Sequence, residues 1–364
     1  MQPRVALLGS VLVLACATGG SAVRPLPVFY PPLPNPPRIQ YLTTFSTAAD
    51  VGEPRSGFAE FIAGKDPKKT LVVQKPYGAG IHGGRLYVVD LRGGGYAVFD
   101  VARREFGFVT GVGPGQMKRP SSLAIDADGT KYVADVGRDQ VLAFDAQDRF
   151  VRAYGVTGQF KPGGIAVWKD RLYVSDLAHH EVHVLDKRSG TSLFTIGKQG
   201  SRDGEFGYPT NLAMSADGHL YVSDMMNFRV QELTADGRFV RSFGTLGDRP
   251  GQLSRPKGVA VDRDGRVYVV DAAFENVQLF DAEGRILMYF GGPGAGRENV
   301  NLPAAVAVDY GNVALFQRYA APGFKLEYLV LVASQFGQSK LNVFGFGRME
   351  GVDYDAKPPA AAGK

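Results

Sequence analysis

Residues 256–271 carry the pattern that decides the fold: Pro256, the apolar triplet Val259-Ala260-Val261, the turn pair Asp264-Gly265 and the run Tyr268-Val269-Val270-Asp271. The same order of proline, apolar triplet, turn and Tyr-Val-x-Asp run occurs five times. The five copies run from Pro76 to Asp90, Pro120 to Asp135, Pro162 to Asp176, Pro209 to Asp224 and Pro256 to Asp271. Successive prolines, with Pro303 as the sixth, are 42 to 47 residues apart. The body of the chain is therefore a tandem repeat.

Each repeat has the pattern of four short strands. The pairs Asp128-Gly129, Asp217-Gly218 and Asp264-Gly265 separate the first two strands, where a tight hairpin needs a positive φ. The run Val277-Gln278-Leu279-Phe280 alternates apolar and polar residues, as half-buried strands do. A period of about 40 to 50 residues with four strands per unit indicates a β-propeller. We therefore predict an all-β fold of six blades.

The sixth unit differs from the others. After Pro303 comes an insertion, residues 312–319, which we expect to contain a short amphipathic helix. Strands are expected at about residues 328–332 and 341–344, but no fourth strand follows them. The segment Tyr41-Leu42-Thr43-Thr44-Phe45 resembles the fourth strand Phe239-Val240-Arg241-Ser242-Phe243. We expect this N-terminal strand to complete the last blade and close the ring, which removes exposed sheet edges.

The repeats resemble the NHL family, most visibly in Pro256 to Asp262, Val267 to Asp271 and Val277 to Asp281. The resemblance covers about residues 72 to 347 and the closing strand near 39 to 45, and it implies a six-bladed propeller. It implies no single activity, because similar propellers include binding platforms, RNA binders, a copper- or zinc-dependent lyase and hydrolases.

Composition narrows the classes of function. Hydrophobic residues are 45% of the 364 and charged residues 21%, so the chain is globular. The net charge of +5 is too small to indicate nucleic acid, and we expect no nucleic-acid partner. The single cysteine excludes an internal disulfide framework and a cysteine-rich metal site. The sequence also lacks a Gly-x-Ser-x-Gly elbow and a phosphate-binding loop.

The N-terminus has the pattern of an export signal. Residues 5–15 are almost all apolar but too few to span a bilayer, which takes about 20. The end of this run, Val13-Leu14-Ala15-Cys16, resembles the lipobox of bacterial lipoproteins, which implies lipidation at Cys16. Because Ala17 is not aspartate, the resemblance implies the outer membrane, on its periplasmic side or at the cell surface. An ordinary signal peptide with an incidental cysteine is the alternative.

These features give four expected regions. Residues 1–15 are the signal peptide, and residues 16–37 are the lipidated cysteine and a proline-rich tether in the polyproline II conformation. Residues 38–347 form the propeller, and residues 348–364 form a polar tail rich in proline and alanine.

A polar residue recurs at one position of every blade, which places a ring of such residues around the channel. The members are Asp90, Asp135, Asp176, Asp224, Asp271 and Ser334. We interpret the ring as structural, with each aspartate accepting hydrogen bonds in a turn. A divalent cation or a substrate in the channel is the alternative, since calcium takes several carboxylates. No cofactor is predicted.

The histidines test the lyase resemblance. In the peptidyl-hydroxyglycine lyase propeller, histidines from separate blades converge on a zinc ion. Here His179, His180 and His183 lie in one blade, while His82 and His219 lie in others. One blade cannot supply the convergent set, so we interpret these side chains as solvated or hydrogen-bonded, with a metal at the cluster as the alternative.

A binding face is better supported than a catalytic centre. Loops between the second and third strands lie on the same side as the loops that join the blades, and the latter carry basic residues such as Arg255. The candidate binding residues are Arg138, His179, Met225, Met226, Asn227, Phe228, Phe274 and Phe336. Methionine and phenylalanine near arginine are typical of protein interfaces, and tucking beneath loops is the alternative.

We therefore expect a non-enzymatic, membrane-anchored platform for an envelope protein, or for a glycan. The alternative is an exported propeller enzyme, a metal-dependent lyase or hydrolase that uses the central channel.

Overall fold

The computed structural model describes residues 26–52 and 72–354. The expected signal peptide, Cys16 and the last ten residues of the expected tail lie outside the described residues. Over the described ranges no helix combines the length and the hydropathy that crossing a membrane requires.

Six sheets, one per repeat, form the six blades. Each of the first five has four strands in sequence order, paired antiparallel. Blades one and two consist of β3 (Pro76–His82), β4 (Arg85–Asp90), β5 (Gly95–Asp100), β6 (Glu105–Val109), β7 (Pro120–Ile125), β8 (Lys131–Asp135), β9 (Gln140–Phe144) and β10 (Phe150–Tyr154). Blades three to five consist of β11 (Pro162–Trp168), β12 (Arg171–Asp176), β13 (Glu181–Asp186), β14 (Ser192–Ile196), β15 (Pro209–Met214), β16 (His219–Asp224), β17 (Arg229–Thr234), β18 (Phe239–Phe243), β19 (Pro256–Val261), β20 (Val267–Asp271), β21 (Asn276–Phe280) and β22 (Ile286–Gly291).

The predicted pattern of four short strands per repeat is confirmed in these five blades. Every first strand begins at the repeat proline, and every second strand ends at the repeat aspartate. The hairpin glycines Gly129, Gly218 and Gly265 have φ angles of 84°, 93° and 77°. These are the positive φ angles that the Asp-Gly pairs predict. The six-bladed propeller is therefore the fold of this chain.

The last blade is closed by the N-terminal strand, as predicted. Its strands are β1 (Phe29–Tyr30), β2 (Ile39–Phe45), β23 (Pro303–Asp309), β24 (Phe324–Ser334) and β25 (Leu341–Met349), in the order β1-β2-β25-β24-β23. The helix expected in residues 312–319 is α1 (Val313–Phe316), followed by a 3-10 turn over Gln317–Tyr319.

Two expected boundaries move. Strand β1 lies within the segment expected to be tether, and it pairs with β2 as a fifth strand of the blade. Phe29 is buried there, and its ring packs against that of Phe324. The tail also begins later than residue 348, since β25 continues to Met349 and the Tyr354 hydroxyl donates to the carbonyl of Pro37.

The hydrophobic core consists of separate clusters between neighbouring blades. Tyr87 and Tyr96 of blade one pack with Val133 and Phe144 of blade two. The cluster that joins blade six to blade one includes Phe45 of the closing strand. Each blade therefore depends on both neighbours for burial of its side chains, and no blade has a core of its own.

Candidate functional site: the mouth of the central channel

The first strands line the central channel. Neighbouring first strands contact one another in a closed ring, from β3 through β7, β11, β15, β19 and β23 back to β3. The chain enters each first strand at the repeat proline, so the residue after each proline faces the mouth of the channel. These six residues are Tyr77, Ser121, Gly163, Thr210, Lys257 and Ala304, and all six line one cavity.

The cavity has a volume of about 410 Å³ and opens on what we call the top face. The top face carries the loops between second and third strands and the loops between blades. These loops complete the cavity wall with Leu177, Tyr208, Met225, Met226 and Arg255, and β15 adds Asn211. The volume is within the range of small-molecule sites, and the lining combines apolar, aromatic and cationic groups.

The cavity lining is positively charged. Lys257 and Arg255 contribute cationic groups, and none of the lining residues is acidic. Burial, together with repulsion from Arg255 and Lys75, lowers the pKa of the Lys257 ammonium to about 8. The Nζ atoms of Lys257 and Lys75 lie 5.2 and 5.7 Å from the centre of the Tyr77 ring, which partly compensates these charges. The lining therefore favours an anionic or acidic group.

Some of the predicted binding residues lie at this mouth. Met225 and Met226 line the cavity, on a 3-10 turn that follows Asp224. Phe336 lies in the loop between β24 and β25, beside the mouth, with Lys75 Nζ 5.7 Å from its ring centre. Met226 and Phe336 are more than half exposed, at 58% and 54%. These three side chains give the top face an accessible apolar component.

The other predicted binding residues do not line the cavity, and their contacts are with their own or neighbouring loops. The Arg138 guanidinium donates to the Gln116 carbonyl (2.6 Å), and the Asn227 amide donates to Asp224 (2.7 Å) and to the Gly200 carbonyl (2.8 Å). Phe228 is half-buried and has a φ of 55°. Phe274 is half-buried, and its backbone N–H donates to Asp271. His179 is exposed and contacts Asp176.

The ring of polar residues joins the loops of the top face. Asp135 accepts backbone N–H groups of Lys118 (2.6 Å), Arg119 (2.9 Å) and Gly137 (2.9 Å), from the loop before β7 and the loop after β8. Asp90 and Asp271 accept equivalent bonds. Ser334 accepts a bond from the Asn301 N–H. All six residues are buried. Their hydrogen bonds thus serve turns, and none of the six lines the cavity.

Within the described ranges, one group of three or more His, Cys, Asp or Glu side chains has ligand atoms close enough for a shared metal ion. It consists of Asp176, Glu181 and His183 in blade three, and these residues do not line the cavity. His82 and His219 are not part of it. All five histidines of this chain lie in the described residues, and they do not converge from separate blades as those of the lyase propeller do.

Comparisons with known proteins agree with this architecture. The family model of the NHL repeat matches residues 253–280, which contain β19, β20 and β21. This chain is a six-bladed β-propeller with an NHL repeat. The propeller is 22% identical over 115 residues to the probable peptidyl-alpha-hydroxyglycine alpha-amidating lyase pgal-1 of Caenorhabditis elegans. That match covers 30% of this chain and spans only a third (33%) of the lyase.

Solved structures share the fold of this propeller. A gluconolactonase of Xanthomonas campestris, XC5397, has a TM-score of 0.56 at 17% identity, over 89% of this chain and 99% of that one. A protein of unknown function from Bacteroides thetaiotaomicron has a TM-score of 0.60 at 15% identity, over 85% and 75%. Virginiamycin B lyase of Staphylococcus aureus has a TM-score of 0.51 at 13% identity, over 75% and 96%. At these identities the likeness shows the fold alone.

Most of the cavity lining, including Tyr77, Tyr208 and Lys257, is not among the binding residues that the sequence predicts. Part of the signal for it is nevertheless present in the repeat. The residue after each repeat proline occupies the same position in all six blades, so these six residues could have been read as a ring from the sequence.

Proposed function

We propose that this propeller is a non-enzymatic binding platform whose top face docks a protein partner with an acidic group in the channel mouth. One observation carries the proposal: the cationic cavity at the channel mouth lies beside the exposed side chains of Met226 and Phe336. Apolar contacts around a charged recess are the arrangement that protein interfaces use for affinity and for specificity.

The charge of the recess selects among partners. Lys257 and Arg255 lie in the cavity wall without an acidic lining residue, so an aspartate, a glutamate or a chain-terminal carboxylate of the partner would supply the missing negative charge. Met225, Met226 and Tyr208 would contact the apolar part of the same side chain. A neutral glycan would satisfy only the aromatic part of this lining, so a protein is the partner that fits better.

The location of the platform follows from the N-terminal pattern. We propose that the chain is exported and is anchored through a lipid on Cys16 in the outer membrane. The partner would then be an envelope protein. The support is the position of the chain's single cysteine directly after an apolar run that ends in Val13-Leu14-Ala15. More than one acyl chain gives stable anchoring, which one chain alone does not.

Two matched double variants test the docking face. Met226→Ser with Phe336→Ser removes the exposed apolar groups of the top face. Leu287→Ser with Tyr289→Ser removes equally exposed groups (52% and 56%) from β22 on the rim. Partners are crosslinked in cells, captured with the propeller and identified by mass spectrometry. We expect the top-face variant to lose a specific protein that the rim variant retains. Equal recovery from both variants would contradict the proposal.

An enzyme that uses the same channel is the second candidate. Lys257 favours it, because an amine with a pKa of about 8 is partly neutral near physiological pH and can act as a base or a nucleophile. The partial similarity to an amidating lyase and the shared fold of a gluconolactonase also support it. Lys257→Gln would abolish turnover by an enzyme that uses this amine.

A further inference from the structure

Blade three departs from the repeat at one cluster of side chains. The positions three, five and seven residues after the repeat aspartate hold His179, Glu181 and His183. In blade four the same positions after Asp224 hold an asparagine, an arginine and a glutamine. The strand register confirms the equivalence, since Glu181 pairs with Asp176 as Arg229 pairs with Asp224.

Blade four shows how side chains at these positions can surround the repeat aspartate. One carboxylate oxygen of Asp224 accepts from the Asn227 amide (2.7 Å), the Arg229 guanidinium (3.1 Å) and the Gln231 amide (3.4 Å). The aspartate is fully buried, and the guanidinium supplies its positive counter-charge. Buried carboxylates need hydrogen-bond donors or a counter-ion, and Asp224 has both.

Blade three lacks that cation and adds a second acid. Asp176 is fully buried, and Glu181 replaces the arginine beside it. Among the described residues, the ion pairs of Asp176 and Glu181 are formed only with His179 and His183. Two carboxylates therefore face one another with only imidazoles between them. Backbone N–H groups of Lys161, Ala178 and His179 donate to Asp176 Oδ1, but neutral imidazoles would leave the Oδ2 side of the cluster with two acids and no cation.

The distances in this cluster suit a bound metal ion. The Nε2 atom of His183 lies 3.1 Å from Asp176 Oδ2 and 3.3 Å from Glu181 Oε1, and the three ligand atoms lie within 4.8 Å of one another. Ligands about 2.0–2.1 Å from a tetrahedral ion are roughly 3.3 Å apart. His179 lies outside this group of three, with Nδ1 2.6 Å from Asp176 Oδ2, and its side chain, 55% exposed at the cluster's surface, would have to move to become a fourth ligand.

We propose that Asp176, Glu181 and His183, with His179 as a fourth ligand, form a site for one divalent transition-metal ion of the Zn²⁺ type. Two imidazole nitrogens exclude Ca²⁺ and Mg²⁺, which take oxygen ligands, and two carboxylates balance a charge of +2. The ion would hold the loop between β12 and β13 to the body of the blade. This site differs from the channel mouth, whose lining includes none of the four residues.

The test is zinc binding by the whole chain without a histidine tag. All proteins carry Cys16→Ser, so that the thiol cannot bind the ion, and they are stripped with a chelator before calorimetric titration with ZnCl₂. Two variants copy blade four: His183→Gln and Glu181→Arg, which restores the guanidinium beside the aspartate. The control is His219→Gln, which changes a histidine that also pairs with a carboxylate, that of Glu232.

We expect one equivalent of Zn²⁺ to bind the Cys16→Ser protein and the His219→Gln control with equal affinity. Both blade-four variants should bind at least about 100-fold more weakly, because losing a ligand costs more than losing the outer partner of one. The thermal midpoint of unfolding should rise with Zn²⁺ only in the proteins that bind it. Any other pattern, including less than one equivalent or equal loss in the control, would overturn the proposal.

Discussion

The Nζ atom of Lys131 lies 2.7 Å from Oδ1 of Asp148, and the lysine side chain has no exposed surface. The same carboxylate accepts a hydrogen bond from the Tyr96 hydroxyl (3.0 Å) and pairs with the Arg85 guanidinium (3.4 Å), both in the neighbouring blade. Burial lowers the pKa of the Lys131 ammonium, and Asp148 opposes that shift. Asp148 thus joins blades one and two through a partly buried ionic network.

Removal of the Asp148 carboxylate should destabilise the folded protein. Asp148→Ala leaves a buried ammonium without a counter-ion, and we expect the free energy of unfolding to fall by about 3–5 kcal/mol. Denaturant unfolding measures the change. Asp236→Ala is the control, because Asp236 also pairs with an arginine (Arg171, 2.6 Å) but is exposed, and its loss should cost less than about 1 kcal/mol. Equal changes in the free energy of unfolding would show that the buried network stabilises the protein no more than an exposed ion pair does.

The closing strand β2 should contribute as much to the stability of the propeller as any internal strand. Ile39 of β2 is fully buried and packs with side chains of blade five. Its strand-pairing partner Phe346 lies some 300 residues away in the sequence. Ile39→Ala should lower the free energy of unfolding by about 2–5 kcal/mol. Val240→Ala, at the exposed face of a fourth strand, should change it by less than about 0.5 kcal/mol. If Ile39→Ala left the free energy of unfolding unchanged, the stability of the ring would not depend on closure by β2.

The charge of the channel mouth should depend on pH through Lys257. Because its pKa is lowered from 10.5 to about 8, the amine loses its charge as the pH rises through about 8, and an acidic ligand should then bind more weakly. Between about pH 8 and 10.5 the unfolded chain binds more protons at this group, so its contribution to stability rises with pH.

Reaction of Lys257 with an amine-selective reagent, followed by mass spectrometry against pH, measures the transition. We expect a midpoint near pH 8, and a higher midpoint in Arg255→Gln because one repelling charge is removed. A midpoint above pH 10 in the unmodified protein would disprove the lowered pKa.

The repeat explains how much could be predicted from the sequence. Strands, hairpin turns and the closing strand follow local periodicity, which repeats in the sequence itself, so these predictions are confirmed. The fifth strand β1 could not be predicted, because Phe29-Tyr30 is a two-residue segment among prolines whose burial depends on Phe324 and Phe344 far away in sequence.

Functional residues were harder to predict for a different reason. Met225 and Met226 can be predicted because they follow a repeat aspartate in a loop between the second and third strands. Lys257 cannot be told apart in the same way, because it belongs to the repeat pattern that defines the fold, where its neighbours are structural. Its role depends on five other blades that bring Tyr77 and the remaining first-strand residues around it.

The central claim is that a partner docks on the top face, and a photo-reactive amino acid placed at single sites tests it most directly. Met226 at the channel mouth and Tyr289 on the rim are equally exposed, at 58% and 56%, so they present the probe to solvent alike. On irradiation in cells, we predict one discrete crosslinked protein from position 226 and none from position 289. A crosslink from position 289 alone, or from neither position, would contradict the claim.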